Sequence, residues 1–220
     1  MEFKGAIFDM DGTLIDSLIC WEPIFRTIFQ KFNDSKIIEF SADEIKTMCT
    51  STFDKTAKYL HETYSLGNSP QEILETIDSA VYNFYANEVK VKDGVIEFLE
   101  HCQKSGVKMC LASATDVSLM RVAAKHCNIE KYFSHIISCS EIGKGKNFPD
   151  IYLKGLRLLG TNLSDTYVFE DSAISVNTAK NAGFFVVGIF DKLNIGQQEI
   201  KEKADVYIGE GETLLKLINS

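Results

Sequence analysis

The chain has 220 residues, enough for one large domain or two small ones, and its 45% hydrophobic content is sufficient for a sizeable core. A formal net charge of −8 excludes a broad nucleic-acid or anionic-membrane surface, but leaves room for a local positive pocket that takes a phosphorylated metabolite. No apolar stretch is long enough to span a membrane. The six cysteines (20, 49, 102, 110, 127 and 139) form no Cys-x-x-Cys pair and share no metal-ligand spacing with the four histidines. Reduced thiols, a cytoplasmic location and no zinc site are therefore expected.

Phe3, Ala6, Ile7 and Phe8 predict a short buried strand that starts within a few residues of Met1, so no targeting segment is expected there. The strand runs into Asp9-Met10-Asp11-Gly12-Thr13-Leu14. Two carboxylates two residues apart can project to one side, and they repel unless a cation or proton compensates. Mg²⁺, an oxygen-seeking ion, is the natural compensator. Taken singly, the pair also suits an ordinary Asp-rich turn.

The period then changes. Leu18, Ile19, Trp21, Ile24, Phe25, Ile28, Phe29 and Phe32 predict a helix over 17–32 with a wide apolar face. Ser41-Ala42-Asp43-Glu44 reads as a capping box, a third helix is expected over 53–64, and Ser69-Pro70 opens a fourth that reaches Tyr85. Residues 17–88 thus read as helical throughout, with the aromatic side chains as bundle core.

From about residue 92 the chain alternates. Helices are expected from Asp93-Gly94 to Gly106 and over 116–127, 150–159, 172–182 and 211–218; strands over 107–112, 136–137, 167–169, 186–190 and 206–208. This alternation predicts a doubly wound parallel sheet, Rossmann-like, built from residues 1–16 and 90–220. The helical bundle of 17–89 is then an insertion, with hinges expected near 15–17 and 88–93.

Ligands of an open parallel sheet bind outside the carboxyl ends of its strands. Four such ends carry Asp9 and Asp11; Ser113; a loop with Lys144, Lys146 and Pro149-Asp150; and Glu170-Asp171-Ser172. Four carboxylates, a hydroxyl and an ammonium suit Mg²⁺ and a phosphoryl group. Each station alone has a plainer explanation as a helix cap or solvated loop.

Together these motifs resemble those of the haloacid dehalogenase-like (HAD) superfamily, over nearly the whole chain. Phe8-Asp9-Met10-Asp11-Gly12-Thr13-Leu14, Ser113, Lys146-Asn147-Phe148-Pro149-Asp150 and Phe169-Glu170-Asp171-Ser172 are similar to its four motifs. The insertion matches the α-helical cap of the phosphoglycolate phosphatase and β-phosphoglucomutase branch. The resemblance implies that Asp9 is the nucleophile and a Mg²⁺ ligand. Asp11 would be the acid/base and bind the metal through its backbone carbonyl. Ser113, the Ala114 N–H and Lys146 would hold the phosphoryl group, with Lys146 also paired to Asp9. Asp171 would bind Mg²⁺, with Glu170 a direct or water-mediated ligand. An acid/base Asp11 argues against dehalogenation, and no cap lysine stands out for a phosphonate hydrolase.

Within the branch, the sugar-phosphate mutases carry cationic groups for a second phosphate. The matching positions here hold Trp21, the Cys49-Thr50-Ser51-Thr52-Phe53 loop and Thr115-Asp116, none of them basic. The expected activity is Mg²⁺-dependent hydrolysis of a small phosphomonoester through an aspartyl-phosphate. The alternatives are a β-phosphoglucomutase-like mutase and, behind it, a non-catalytic binding protein. Trp21, Thr50, Phe53, Thr115 and Asp116 are the specificity candidates. They point to an uncharged or partly apolar leaving group such as a sugar, polyol or nucleoside. The expected partner is that small metabolite, with no nucleic acid and no membrane, and the expected state is a monomer.

Overall fold

The structure is a computed structural model that describes residues 3–32 and 40–218, without the side chains of residues 22, 23, 42, 46, 49 and 50. The chain divides into two compact units, one formed by the chain up to Ser17 together with Val89 onward, the other by Leu18–Glu88.

The first unit begins with β1 (Gly5–Phe8), and its described strands all run parallel. In chain order there follow, within the second unit, α1 (Trp21–Phe32), α2 (Ala42–Thr50), α3 (Phe53–Tyr64) and α4 (Pro70–Asn87). The first unit resumes with α5 (Val95–Lys104), β2 (Lys108–Ser113), α6 (Val117–His126), β3 (His135–Ser138), α7 (Cys139–Ile142) and α8 (Asp150–Leu159). It closes with β4 (Thr166–Glu170), α9 (Ala173–Asn181), β5 (Phe185–Ile189), α10 (Gln197–Lys203) and β6 (Val206–Ile208).

The strand order is β3-β2-β1-β4-β5-β6, so the direction of winding reverses at β1. The sheet is therefore doubly wound, with β1 at its centre. Alternate residues of β1 enter opposite layers, as the period of two requires. Ile7 joins Cys110, Ala112, Val168 and Val186 under α8 and α9. Phe8 stacks on Phe169 at 4.3 Å between ring centroids and meets the edge of Phe98 from α5. Helix α8 approaches β1 closely because residue 155 is glycine: a Cβ there would lie 3.0 Å from Ile7 Cδ1.

The two crossings between the units are zipped together on the sheet's side. Asp16 N–H donates to the Lys90 carbonyl at 2.8 Å, Lys92 N–H donates to the Leu14 carbonyl at 2.9 Å, and Ile15 bridges Val91 in antiparallel sense.

In the second unit Ser41 and Glu44 form the expected capping box, and Ser69 caps α4 with Pro70 in its first turn. Phe25, Ile28 and Phe29 are buried, and Phe29, Phe40 and Tyr64 meet edge-on or tilted. Helix throughout 17–88 was expected, but residues 33–39 lie outside those described, and α1 starts only at Trp21. Before it stands a single 3₁₀ turn, Leu18–Cys20, whose Ile19 is exposed. Pro23 in the first turn of α1 favours a start there.

The helix expected over 211–218 is instead a 3₁₀ turn, Leu214–Leu217, and α7 and α10 were not anticipated. Cys102, Cys110, Cys127 and Cys139 are buried, and burial pushes the Cys102 and Cys110 thiols up to about 12, so these thiols resist ionisation. Among the described residues no helix is long and apolar enough to cross a membrane.

Candidate active site

The parallel register sets the ends of β1, β2 and β4 side by side: Phe8 is level with Leu111 on one side and Phe169 on the other. Asp9 continues the ladder, its N–H donating to the Phe169 carbonyl at 3.0 Å. The chain then winds around the Met10 carbonyl, which accepts from the N–H groups of Thr13, Leu14 and Ile15. Gly12 makes the turn possible with φ of 76°, where a side chain would be strained.

Around this turn the acidic residues fall into two groups. Asp9, Glu170 and Asp171 are buried, and ligand oxygens of all three lie within 4.8 Å of one another. Lys146 arrives from the loop before α8 and bridges two of them: its Nζ lies 2.5 Å from Asp9 Oδ1, as an ion pair outside hydrogen-bond geometry, and donates to Glu170 Oε1 at 2.7 Å. The buried Tyr152, on the face of α8 toward the sheet, donates to the same Glu170 oxygen at 2.7 Å. Thr13 Oγ1 donates to Asp171 Oδ1 at 3.1 Å, and Asn194 Nδ2 donates to Asp171 Oδ2 at 2.5 Å.

Asp11 stands apart from this group. It is half-buried, and its Oδ2 accepts from Thr115 Oγ1 at 2.7 Å and from Ser113 Oγ at 3.4 Å. Asp11 thus has access to water and to the hydroxyls at the end of β2, which suits a group that exchanges protons.

One ammonium against three buried carboxylates leaves two negative charges uncompensated. Burial, with Asp9 adding to it, pushes Glu170 up to about 7 even though Lys146 opposes the shift. Burial, then Asp9 and Glu170, push Asp171 well above the usual carboxylate range. Burial works against the charge of Lys146, but Asp9 and Glu170 outweigh it and hold Lys146 above its ordinary value. Glu170 Oε2 is buried with no hydrogen-bond partner among the described residues. An orphaned carboxylate oxygen beside two further carboxylates is what a divalent cation would satisfy. The donor set therefore fits Mg²⁺.

Two results are expected from this geometry. A carboxyl whose folded value is raised binds its proton more tightly in the folded than in the unfolded chain, so stability falls as pH climbs from the unfolded to the folded value. For Glu170 that window runs from 4.5 to about 7. The thermal midpoint of the protein in chelator is expected to fall across this window, and Mg²⁺ to flatten the fall. A midpoint that rises with pH in chelator would contradict the charge excess. Tyr152→Phe removes one donor to Glu170 and is expected to lower stability by about 1–3 kcal/mol in urea titrations without metal; an unchanged unfolding curve would dismiss the contact.

Of the remaining expected residues, Ala114 is exposed just past Ser113, whose Oγ also accepts from the Thr115 N–H at 3.2 Å. Asp116 caps α6, accepting from Ser118 N–H at 2.9 Å and Ser118 Oγ at 2.8 Å. Lys144 is drawn to Asp150 at 2.8 Å rather than to the buried carboxylates. In the second unit Trp21 and Phe53 meet at 5.4 Å between ring centroids, and Thr50 ends α2 with its side chain outside those described. Sequence reasoning missed Thr13, Tyr152 and Asn194. The position of Thr13 inside the first motif was the one available signal.

The family model of the haloacid dehalogenase-like hydrolases matches residues 6–189. The chain is 26% identical to a phosphorylated carbohydrates phosphatase of Thermotoga maritima, with 96% of each chain covered. It is 25% identical to the validoxylamine A 7'-phosphate phosphatase of Streptomyces hygroscopicus, with 85% of each covered. A Thermotoga maritima crystal structure provisionally named a beta-phosphoglucomutase superposes with a TM-score of 0.85 at 25% identity, covering 100% of this chain and 99% of that one. The chain belongs to the haloacid dehalogenase-like hydrolases. Within them it falls on the phosphoglycolate phosphatase and β-phosphoglucomutase side, and it is an enzyme.

Proposed function

We propose that the protein is a Mg²⁺-dependent phosphatase that hydrolyses a small phosphomonoester through an aspartyl-phosphate on Asp9. The observation that carries this reading is the separation of two acidic groups at the carboxyl ends of the central strands. Asp9 lies against Lys146, Glu170 and Asp171, while Asp11 lies apart among hydroxyls.

Asp9, Glu170 and Asp171, with the Asp11 backbone carbonyl, would hold Mg²⁺, which when bound offsets the charge shared by the carboxylates and a phosphoryl group. Lys146 pairs with Asp9 and orients it, and adds positive charge where the phosphoryl oxygens arrive. The Asp9 carboxylate attacks phosphorus, the bond to the leaving oxygen breaks, and that oxygen takes the proton of Asp11. Asp11, now ionised, takes a proton from water, whose oxygen attacks the same phosphorus. Inorganic phosphate leaves and Asp9 is restored. Ser113 and the Ala114 N–H hold the phosphoryl oxygens.

Hydrolysis is preferred to the mutase reaction because Thr115, which donates to Asp11, and Asp116, which accepts at its own helix start, carry no positive charge to hold a second phosphate. Trp21 and Phe53, side chains without positive charge, support a leaving group that lacks a second phosphate, such as a sugar, polyol or nucleoside. Its test is phosphate release from a panel of phosphorylated metabolites, with and without Mg²⁺. Metal-dependent release is expected, with monophosphates ahead of bisphosphates. Isomerised sugar phosphate without release would favour the mutase.

A further inference from the structure

We infer that Asn194 is a positioning residue for Asp171, and that the loop between β5 and α10 is built to deliver it. The inference rests on the metal-dependent reading of the site above.

A single amide nitrogen grips Asp171 twice: Asn194 Nδ2 donates to the carboxylate Oδ2 at 2.5 Å and to the backbone carbonyl of the same residue at 2.9 Å. Two contacts to one residue fix the side-chain torsion as well as the position. Thr13 completes the hold on Oδ1. Both donors are neutral, so they orient the carboxylate without competing, as a second lysine would, with a cation for its charge.

The loop is stiffened around this contact. Lys92 Nζ donates to Asp191 Oδ2 at 2.8 Å and to the Phe190 carbonyl at 3.1 Å, in a pair that is largely buried. The other oxygen of Asp191 accepts from the Leu193 N–H at 2.9 Å, and its carbonyl accepts from the Asn194 N–H at 3.1 Å. Gln197 Nε2 donates to the carbonyls of Asp191 and Asn194, and Tyr207 OH donates to Gln197 Oε1. Leu193 and Ile195 flank Asn194 and are more than half exposed. The turn therefore leaves two apolar side chains in water while it turns an amide inward. Packing alone would favour the reverse.

The test is metal affinity, read by calorimetric titration of the whole protein with MgCl₂ in the absence of substrate. Asn194→Leu keeps the side-chain size and removes the donor; Asn194→Ala removes both. Each is expected to raise the Mg²⁺ dissociation constant about 10-fold or more, with far-UV circular dichroism unchanged. In phosphatase assays the Mg²⁺ activation constant should rise by the same factor, while kcat at saturating Mg²⁺ stays within about 3-fold of wild type. Asp191→Asn, which loosens the loop and leaves the amide in place, should give a smaller rise. Wild-type affinity in folded Asn194→Leu and Asn194→Ala would overturn the inference, as would failure of the wild type to bind Mg²⁺. The affinity comparison decides it whether or not phosphate is released. An enzyme that bound Mg²⁺ but hydrolysed nothing would count against the phosphatase reading alone.

Discussion

Asp9→Asn is expected to reduce phosphate release by about 10⁴-fold or more, with no loss of thermal stability. The amide has the shape of the carboxylate but neither its charge nor its nucleophilicity, so the first bond to phosphorus cannot form. Stability should hold or rise, because Asp9 adds to the repulsion that pushes Glu170 and Asp171 up. Removing one like charge from a buried cluster offsets the loss of an ion pair with Lys146, which keeps Glu170 at 2.7 Å. The variant should still form a complex with substrate. Phosphate release and a thermal scan of the same preparation check both halves. Turnover near the wild-type rate would remove Asp9 from the reaction.

Lys146→Met is expected to have the largest effect on stability. It costs about 3–5 kcal/mol in the metal-free protein, because it strips the cation from a site where three carboxylates remain buried. Methionine fills much of the space of the lysine stem, so the loss reports charge rather than a cavity. The folded chain can respond by taking up protons, so the deficit should shrink as pH falls. Mg²⁺ should restore part of the stability by supplying the missing charge. Activity should fall by roughly 10²–10³-fold even when the metal saturates, since Lys146 is the cation beside Asp9, the proposed nucleophile. Denaturant titrations in chelator and in excess Mg²⁺ separate the two effects. Equal stability of variant and wild type in chelator would mean that the buried carboxylates are already protonated and need no partner.

Most of the sheet was legible from the chain because each strand is a short apolar run bounded by turn residues, too short for a helix of ten or more. Three of the four stations were legible for a related reason: Asp9, Ser113 and Glu170-Asp171 lie at the ends of strands, so strand placement places them, whereas Lys146 lies beyond α7 in the loop before α8. What escaped was non-local or unpatterned. Asn194 reaches Asp171 from 23 residues away on a loop without a period. The hydroxyl of Tyr152 is read from sequence as one more core aromatic, and only the packing of α8 on the sheet turns it to Glu170. Helix α10 buries a single side chain, Ile200, so its amphipathic signal is too thin to find. The closing segment has Leu214 and Leu217 three apart, a spacing that α and 3₁₀ turns share. Ser138 and Glu141 do form a capping box, a signal for α7 that was readable beforehand.

The paired crossings also bear on how the chain is assembled as a polymer. Asp16 and Lys90 are held within one hydrogen bond of each other, so the stretch between them enters and leaves the sheet at a single point. For a flexible chain, closing a loop of about 70 residues costs only roughly 2–3 kcal/mol more than closing a tight turn. A folded insert whose ends already meet adds less still. The sheet is therefore nearly indifferent to what is carried between these two residues. Its folding can proceed as though β1 and α5 were neighbours in sequence, and the helical insert is free to diverge in length and composition without disturbing the carboxylates at the strand ends.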